Sequence, residues 1–267
     1  MYNFKEEKSF VFSNEDVKNR VPLYLKEMQD ATAGGLPCGD TAFVLAESGR
    51  GKSTLIDNMA MDTGKYFHEK QPESWVYLFL LEETARERVK RMLQAHNLMS
   101  LPELKRQSSL VLPNMNLLII EPLDFTPTMQ GIRDKIEEMS VNHPIGMLYL
   151  DYMGELQGVL GQEHSAFTIA GRNFKEIALA YNIPCVSGAQ AVKGETFSYE
   201  DGHLLDERNI GGAKALRNNA SLFFSINRTK TQSESNLATI NVFKNRLGPT
   251  GNFDVYMDLS KFYIGDI

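Results

Sequence analysis

Two cysteines and one tryptophan in 267 residues are the scarcest side chains of this sequence. Cys38 and Cys185 stand far apart with no Cys-x-x-Cys spacing, which excludes a disulfide framework and a zinc module and fits a reducing compartment. No run approaches the roughly 20 apolar residues of a membrane span. Residues Met1–Val11 are polar and mixed in charge, without the apolar centre of a signal peptide. The expectation is a soluble, cytoplasmic protein with no membrane partner. Basic charge is also short: 28 Lys and Arg stand against 34 Asp and Glu, a formal net charge of −6. Proteins that wrap duplex nucleic acid are usually basic overall. That mode is disfavoured here, whereas a strand held in a local channel is not excluded.

What is present is an alternation. Apolar runs of strand length lie at Ala42–Ala46, Trp75–Leu81, Leu117–Glu121, Gly146–Asp151 and Pro184–Gly188, and later at Ser221–Asn227, Thr239–Lys244 and Phe253–Asp258. Helical patterns fall between the first five, at Lys52–Tyr66, Thr84–His96, Thr128–Val141 and Ala166–Tyr181. Continuous apolar strands separated by helices predict an α/β fold with a mostly parallel central sheet and helices on both faces. The last three strands, with no helix between them, are expected as antiparallel additions. Residues 1–30 read as an N-terminal extension, with a helix over about Asn14–Gln29 capped by Asn14; residues 31–267 read as one domain.

Ala46-Glu47-Ser48-Gly49-Arg50-Gly51-Lys52-Ser53 follows a strand and opens a helix, the setting a phosphate-binding P-loop requires. Gly49 and Gly51 let backbone N–H groups converge on phosphate oxygens, and the helix start adds partial positive charge. Lys52 is placed for the β- and γ-phosphates of ATP and Ser53 for Mg²⁺. Ser48, Arg50 and Thr54 complete the candidate nucleotide-binding set. Ala46 stands where the strict pattern has Gly.

Hydrolysis needs acids as well. Ile145–Asp151 is an apolar strand ending in a carboxylate, the Walker B form, which makes Asp151 a candidate metal partner at the carboxyl end of a strand. The strand Trp75–Leu81 ends in Glu82-Glu83. Glu82, at the tip, is placed to orient or deprotonate water; Glu83 suits the dipole of the following helix. Gln190 just past Pro184–Gly188 is a candidate γ-phosphate sensor.

In this order the elements resemble the RecA-like motor domain of DnaB-type replicative helicases, phage enzymes included, over roughly residues 30–264. Gly34-Gly35-Leu36 with Gly39-Asp40 is similar to the family's lead-in, and Phe79-Leu80-Leu81-Glu82 with Arg91-Met92-Leu93 to the segment bearing the catalytic glutamate. Leu150-Asp151-Tyr152 resembles its Walker B ending, and Ile183-Pro184-Cys185-Val186 leads to its sensor glutamine, here Gln190. Lys244-Asn245-Arg246-Leu247-Gly248-Pro249-Thr250-Gly251 resembles the hairpin that reaches a neighbouring subunit's nucleotide. The resemblance implies Arg246 as an arginine finger, Lys244 as its companion, and Arg228 with Phe262 as the pair packing against the base.

The resemblance further implies a ring-forming, ATP-driven helicase on single-stranded DNA, most simply a hexamer, with primase or a loader as replisome partners, in a bacterial cell or phage-infected host. The family carries an N-terminal scaffold domain. Here about 30 residues precede the motor, which makes them a linker helix or the scaffold a separate chain. The long polar stretch Ala191–Ala213 is the candidate DNA loop, with Lys193, Arg208, Gly211, Gly212 and Lys214 as candidate contacts; Gly154–Ser165 is a second. Two other readings stay open: a RecA-type recombination ATPase forming filaments, and an ATP-binding assembly or loading factor that does not unwind.

Overall fold

The computed structural model describes residues 19–107, 110–159, 164–192, 197–210 and 216–267. In chain order the strands are β1 (Arg20–Val21), β2 (Leu36–Pro37), β3 (Thr41–Ala46), β4 (Trp75–Leu80), β5 (Leu117–Ile120), β6 (Ile145–Asp151), β7 (Cys185–Gln190), β8 (Leu222–Asn227), β9 (Leu237–Asn245), β10 (Gly251–Asp258) and β11 (Tyr263–Gly265). The helices are α1 (Lys26–Ala31), α2 (Lys52–Lys70), α3 (Ala85–Asn97), α4 (Leu101–Arg106), α5 (Met129–Ser140), α6 (His164–Ala180), α7 (Leu216–Asn219) and α8 (Lys230–Glu234).

Nine strands share one sheet in the order β11-β10-β9-β8-β3-β7-β6-β4-β5. From β8 to β5 every pairing is parallel; β9, β10 and β11 extend the β8 edge antiparallel. Successive strand side chains alternate between faces, and both faces are covered. Val44, Val76, Leu78 and Tyr149 join Leu55, Met59 and Phe67 of α2 in one core, while Phe43, Tyr77, Phe79 and Leu148 join Ile132 and Ile136 of α5 and Phe174 of α6 in the other. Burial on two sides is why these strands read as unbroken apolar runs.

Three expectations are corrected. The helix over Asn14–Gln29 does not form as drawn: Asn14 lies outside the described residues, Arg20–Val21 pairs with β2, and the helix begins only at Lys26. Pro22 explains it, because a residue before proline is pushed out of the α region. Val21, Leu23, Leu25 and Met28 are buried in the α2-side core, so no packing boundary falls at residue 30. Third, β8 runs parallel to β3, and the short helix α8 separates it from β9. No helix among the described residues is long and apolar enough to cross a membrane.

Candidate nucleotide-binding site

The carboxyl ends of β3, β7, β6 and β4 lie side by side, with Ala46 opposite Gln190 and Leu80 opposite Asp151. The turn after β3 takes left-handed backbone at Gly49 (φ 71°) and Gly51 (φ 89°). A side chain at Gly51 would strike Met257, so position and backbone both demand glycine. The following helices α3 and α5 are capped by the hydroxyls of Thr84 and Thr128. Helix α2 has no side-chain cap at Gly51, which leaves its first N–H groups for an anion. Ser48, Gly49, Lys52, Ser53 and Thr54 line the resulting cleft, whereas Arg50 turns toward Glu47 at 3.6 Å and the ring of Tyr199.

Lys52 Nζ lies 3.2 Å from the centroid of the Tyr152 ring. Burial lowers its pKa, against the opposing pull of Asp151, Glu82 and Glu155. The room for this contact is made by Gly188 of β7: a Cβ there would come within 2.9 Å of both Lys52 Cδ and Tyr152 Cβ. Gly188→Ala should therefore displace the lysine and cut ATP turnover by about 100-fold, a displacement effect of the size that ångström misplacements produce. Steady-state kinetics beside a melting curve will check it, with fold retained.

Glu82 sits at the mouth of the cleft. Partial burial raises its pKa, and the charges of Glu155 and Asp151 add to that while Lys52 opposes it. Glu155, in the short 3-10 turn Met153–Glu155, is joined to the cleft by Tyr152, whose Oη donates to Glu155 Oε1 at 2.5 Å and lies 3.0 Å from Gln190 Oε1. Glu83 faces away, paired with Arg88 at 2.8 Å and with Arg91. Asp151 is buried; Oδ2 takes Arg88 at 2.5 Å, and Oδ1 has no hydrogen-bond partner. An orphaned carboxylate oxygen on the strand beside the Ser53 helix fits a hard divalent cation, which prefers oxygen ligands.

Phe262 forms a cleft wall with Leu259. Its backbone is left-handed (φ 52°), uncommon for an aromatic residue. Asn58 of α2 holds the segment there, donating to the Phe262 carbonyl at 3.0 Å and accepting from the Ile264 N–H at 2.8 Å. The expected companion differs. Arg228 is 6 % exposed and donates to the carbonyls of Leu237, Ser233 and Met257, so it does not pair with Phe262. The guanidinium near that ring is Arg91, 5.4 Å from its centroid.

Lys244 and Arg246 lie at the opposite end of the sheet. Asn245 pairs with Leu222 at the start of β8, and Arg246 N–H donates to the Ser221 carbonyl. Lys244 donates to the Arg217 carbonyl, and burial, Arg246 and Arg217 depress its pKa to about 8. Neither residue approaches the cleft of its own chain.

Of the candidate DNA contacts, Lys193, Gly211, Gly212 and Lys214 lie outside the described residues. Arg208 projects from the turn Glu207–Asn209 with its side chain 82 % exposed, held by Asp206. An exposed pair of that kind is worth little and can open for a phosphate. Tyr152, Glu155, Arg88, Arg91 and Gly188 had no assigned role in the sequence reading. Only Tyr152, beside Asp151, and Arg91, in a quoted motif, carried any signal.

The sequence profile described as "DnaB-like helicase C terminal domain" matches residues 21–263. The replicative DNA helicase DnaB of Mycoplasma genitalium is 24 % identical over 280 aligned residues, covering 91 % of this chain and 59 % of that protein. The DnaB of Rickettsia felis is 26 % identical over 167 residues, 52 % of this chain and 33 % of that one. The chain thus spans about three-fifths or less of these relatives. Among solved structures, one free-standing ATPase domain superposes with a TM-score of 0.79 at 15 % identity, covering 100 % of both chains. A DnaB-like replicative helicase studied with primase superposes with a TM-score of 0.80 at 15 % identity over all of this chain and 67 % of that one. These likenesses show a shared fold.

Proposed function

Because this chain belongs to the DnaB-like helicase C-terminal domain family, we propose that it is the ATPase motor of a ring-forming helicase that moves along single-stranded DNA during replication. The observation that carries the reading is the split between the two ends of the sheet. A phosphate loop with its acids lies at one end and the Lys244–Arg246 hairpin at the other. A head-to-tail contact between copies brings the two together, and such heterologous contacts close into rings.

In this reading the N–H groups of Ser48–Gly51 and the start of α2 hold the phosphates of ATP, and Lys52 leaves the Tyr152 face for the β- and γ-phosphates. Phe262 and Arg91 flank the base. Ser53, with Asp151 behind it, would hold Mg²⁺, which supplies charge neutralisation for the phosphate oxygens. Glu82 orients the attacking water and accepts its proton, while Gln190 and Tyr152 link the γ-phosphate position to the turn after β6. Arg246 of the adjacent copy stabilises charge on the transferring phosphoryl group, with Lys244 beside it. Loss of that charge on hydrolysis then moves the channel loops.

Single-stranded DNA is the partner, read by backbone contacts from Arg208 and from Lys193, Gly211, Gly212 and Lys214 repeated around a hexamer. Primase or a loader belongs to the same replisome reading, in a bacterial cell or phage-infected host. The test is steady-state ATP turnover with and without a single-stranded oligonucleotide, followed by a forked duplex. Turnover should rise several-fold with the strand, and the fork should open. ATPase activity indifferent to DNA would favour the assembly-factor reading instead, and filaments rather than rings in electron micrographs would favour a recombination ATPase.

A further inference from the structure

Arg88 is 1 % exposed, one of the most deeply buried large side chains of the chain. A guanidinium is rarely buried so completely unless carboxylates compensate it. Three do, from three different elements. Nη1 donates to Asp57 Oδ1 of α2 at 2.9 Å; Nη2 donates to Asp151 Oδ2 at the end of β6, at 2.5 Å, and to Glu83 Oε1 in the turn before α3, at 2.8 Å. Asp57 follows Ser53 by four residues, one helical turn on the same face.

The consequence is geometric. Asp151 has one carboxylate oxygen fixed on Arg88, and its other oxygen is buried without a partner. Rotating the carboxylate would break the Arg88 contact, so the direction of the free Oδ1 is set by Arg88. The same fork ties that oxygen to the helix bearing Ser53 and to the residue next to Glu82. Lysine, a single compact charge on a flexible stem, cannot span three such carboxylates; the planar fork of arginine can. Arg91 continues the chain, pairing with Glu83 and lying near Phe262.

We propose that Arg88 is a positioning residue for the divalent cation of the nucleotide site: it aims Asp151 Oδ1 and locks β6 to the Ser53 helix. The proposal rests on the nucleotide-site reading above. The competing account is a buried bridge that only stabilises, and such bridges are often replaceable by apolar residues without loss.

The experiment uses the full chain and three variants: Arg88→Lys, the paired change Arg88→Leu/Asp57→Leu, and Lys52→Ala as reference. The paired change removes one charge of each sign, which keeps a buried uncompensated carboxylate from unfolding the protein. Circular dichroism melting establishes the fold of each. Binding of a fluorescent ADP analogue is titrated in EDTA and again across a Mg²⁺ series, and ATP turnover is followed over the same series. In the Arg88 variants, ADP affinity in EDTA should stay near that of the wild type. The Mg²⁺ needed for half-maximal turnover should rise about 10- to 100-fold, the range seen when partners of metal ligands are removed, and the gain in ADP affinity on adding Mg²⁺ should shrink with it. Arg88→Lys should fall between wild type and the paired change. A wild-type Mg²⁺ requirement in either folded variant would overturn the proposal and leave Arg88 a stabiliser. If the wild type binds the ADP analogue no better than Lys52→Ala does, the nucleotide-site reading fails and takes this inference with it.

Discussion

Glu82→Gln should leave ATP binding near the wild-type level and slow hydrolysis by about 10²- to 10⁴-fold, the usual contribution of a positioned general base. The amide keeps the shape of the side chain and its place at the tip of β4, but it cannot accept the proton of water. Glu82 belongs to a crowded acidic corner with Glu155 and Asp151, and partial burial there raises its pKa. The sign follows directly. The base works only when ionised, so wild-type turnover should fall as pH drops through a value above the ordinary glutamate range of about 4.3. Glu155→Gln removes the nearest like charge and should move that limb to lower pH. Single-turnover kinetics with equilibrium nucleotide binding separates the two effects; a Glu82→Gln protein hydrolysing within a few-fold of wild type would remove Glu82 from the role of base.

Most of the sheet was legible because its strands are buried on both faces. Runs such as Trp75–Leu80 and Thr41–Ala46 have no solvent side, so they carry no polar interruption and announce themselves. The N-terminal segment was not legible in the same way. Its Val21, Leu23 and Leu25 imitate a helical face, yet they pack into the α2-side core from extended backbone on either side of Pro22.

In the site, the phosphate loop and the acids at strand tips were readable because their chemistry depends on local order: strand, turn, then helix. Residues that act through long-range burial were not. Arg88 lies in a helix whose other charges face water, as Lys90 and Glu87 do, and nothing local marks one arginine as buried. Arg228 shows the converse error. An arginine at a strand end near the nucleotide invites a stacking role, but three carbonyls left open at the turn from β8 to β9 and at the end of β10 claim its guanidinium.

The second large effect tests where the hairpin acts. Lys52→Ala and Arg246→Ala should each be inactive alone, and a mixture of the two should regain activity. Within one chain Arg246 begins beyond the amino-terminal end of β8, whereas the phosphate loop follows the carboxyl end of β3, its parallel neighbour. Strands of this length separate those ends by roughly 15–20 Å at about 3.3 Å per residue, farther than an arginine side chain extends. If hydrolysis uses Arg246, the nucleotide must belong to another copy. In a random equimolar mixture half the loops carry Lys52, and half of those face a copy carrying Arg246, so about a quarter of head-to-tail interfaces are complete. Turnover in the mixture should approach that fraction of wild type if interfaces fire independently, and fall below it if they must fire in sequence. Nucleotide binding by Arg246→Ala should stay close to normal, because nothing in its own cleft has changed. A mixture as silent as its components, or an Arg246→Ala protein that hydrolyses ATP normally, would show that each chain completes its own site and that the hairpin serves another purpose.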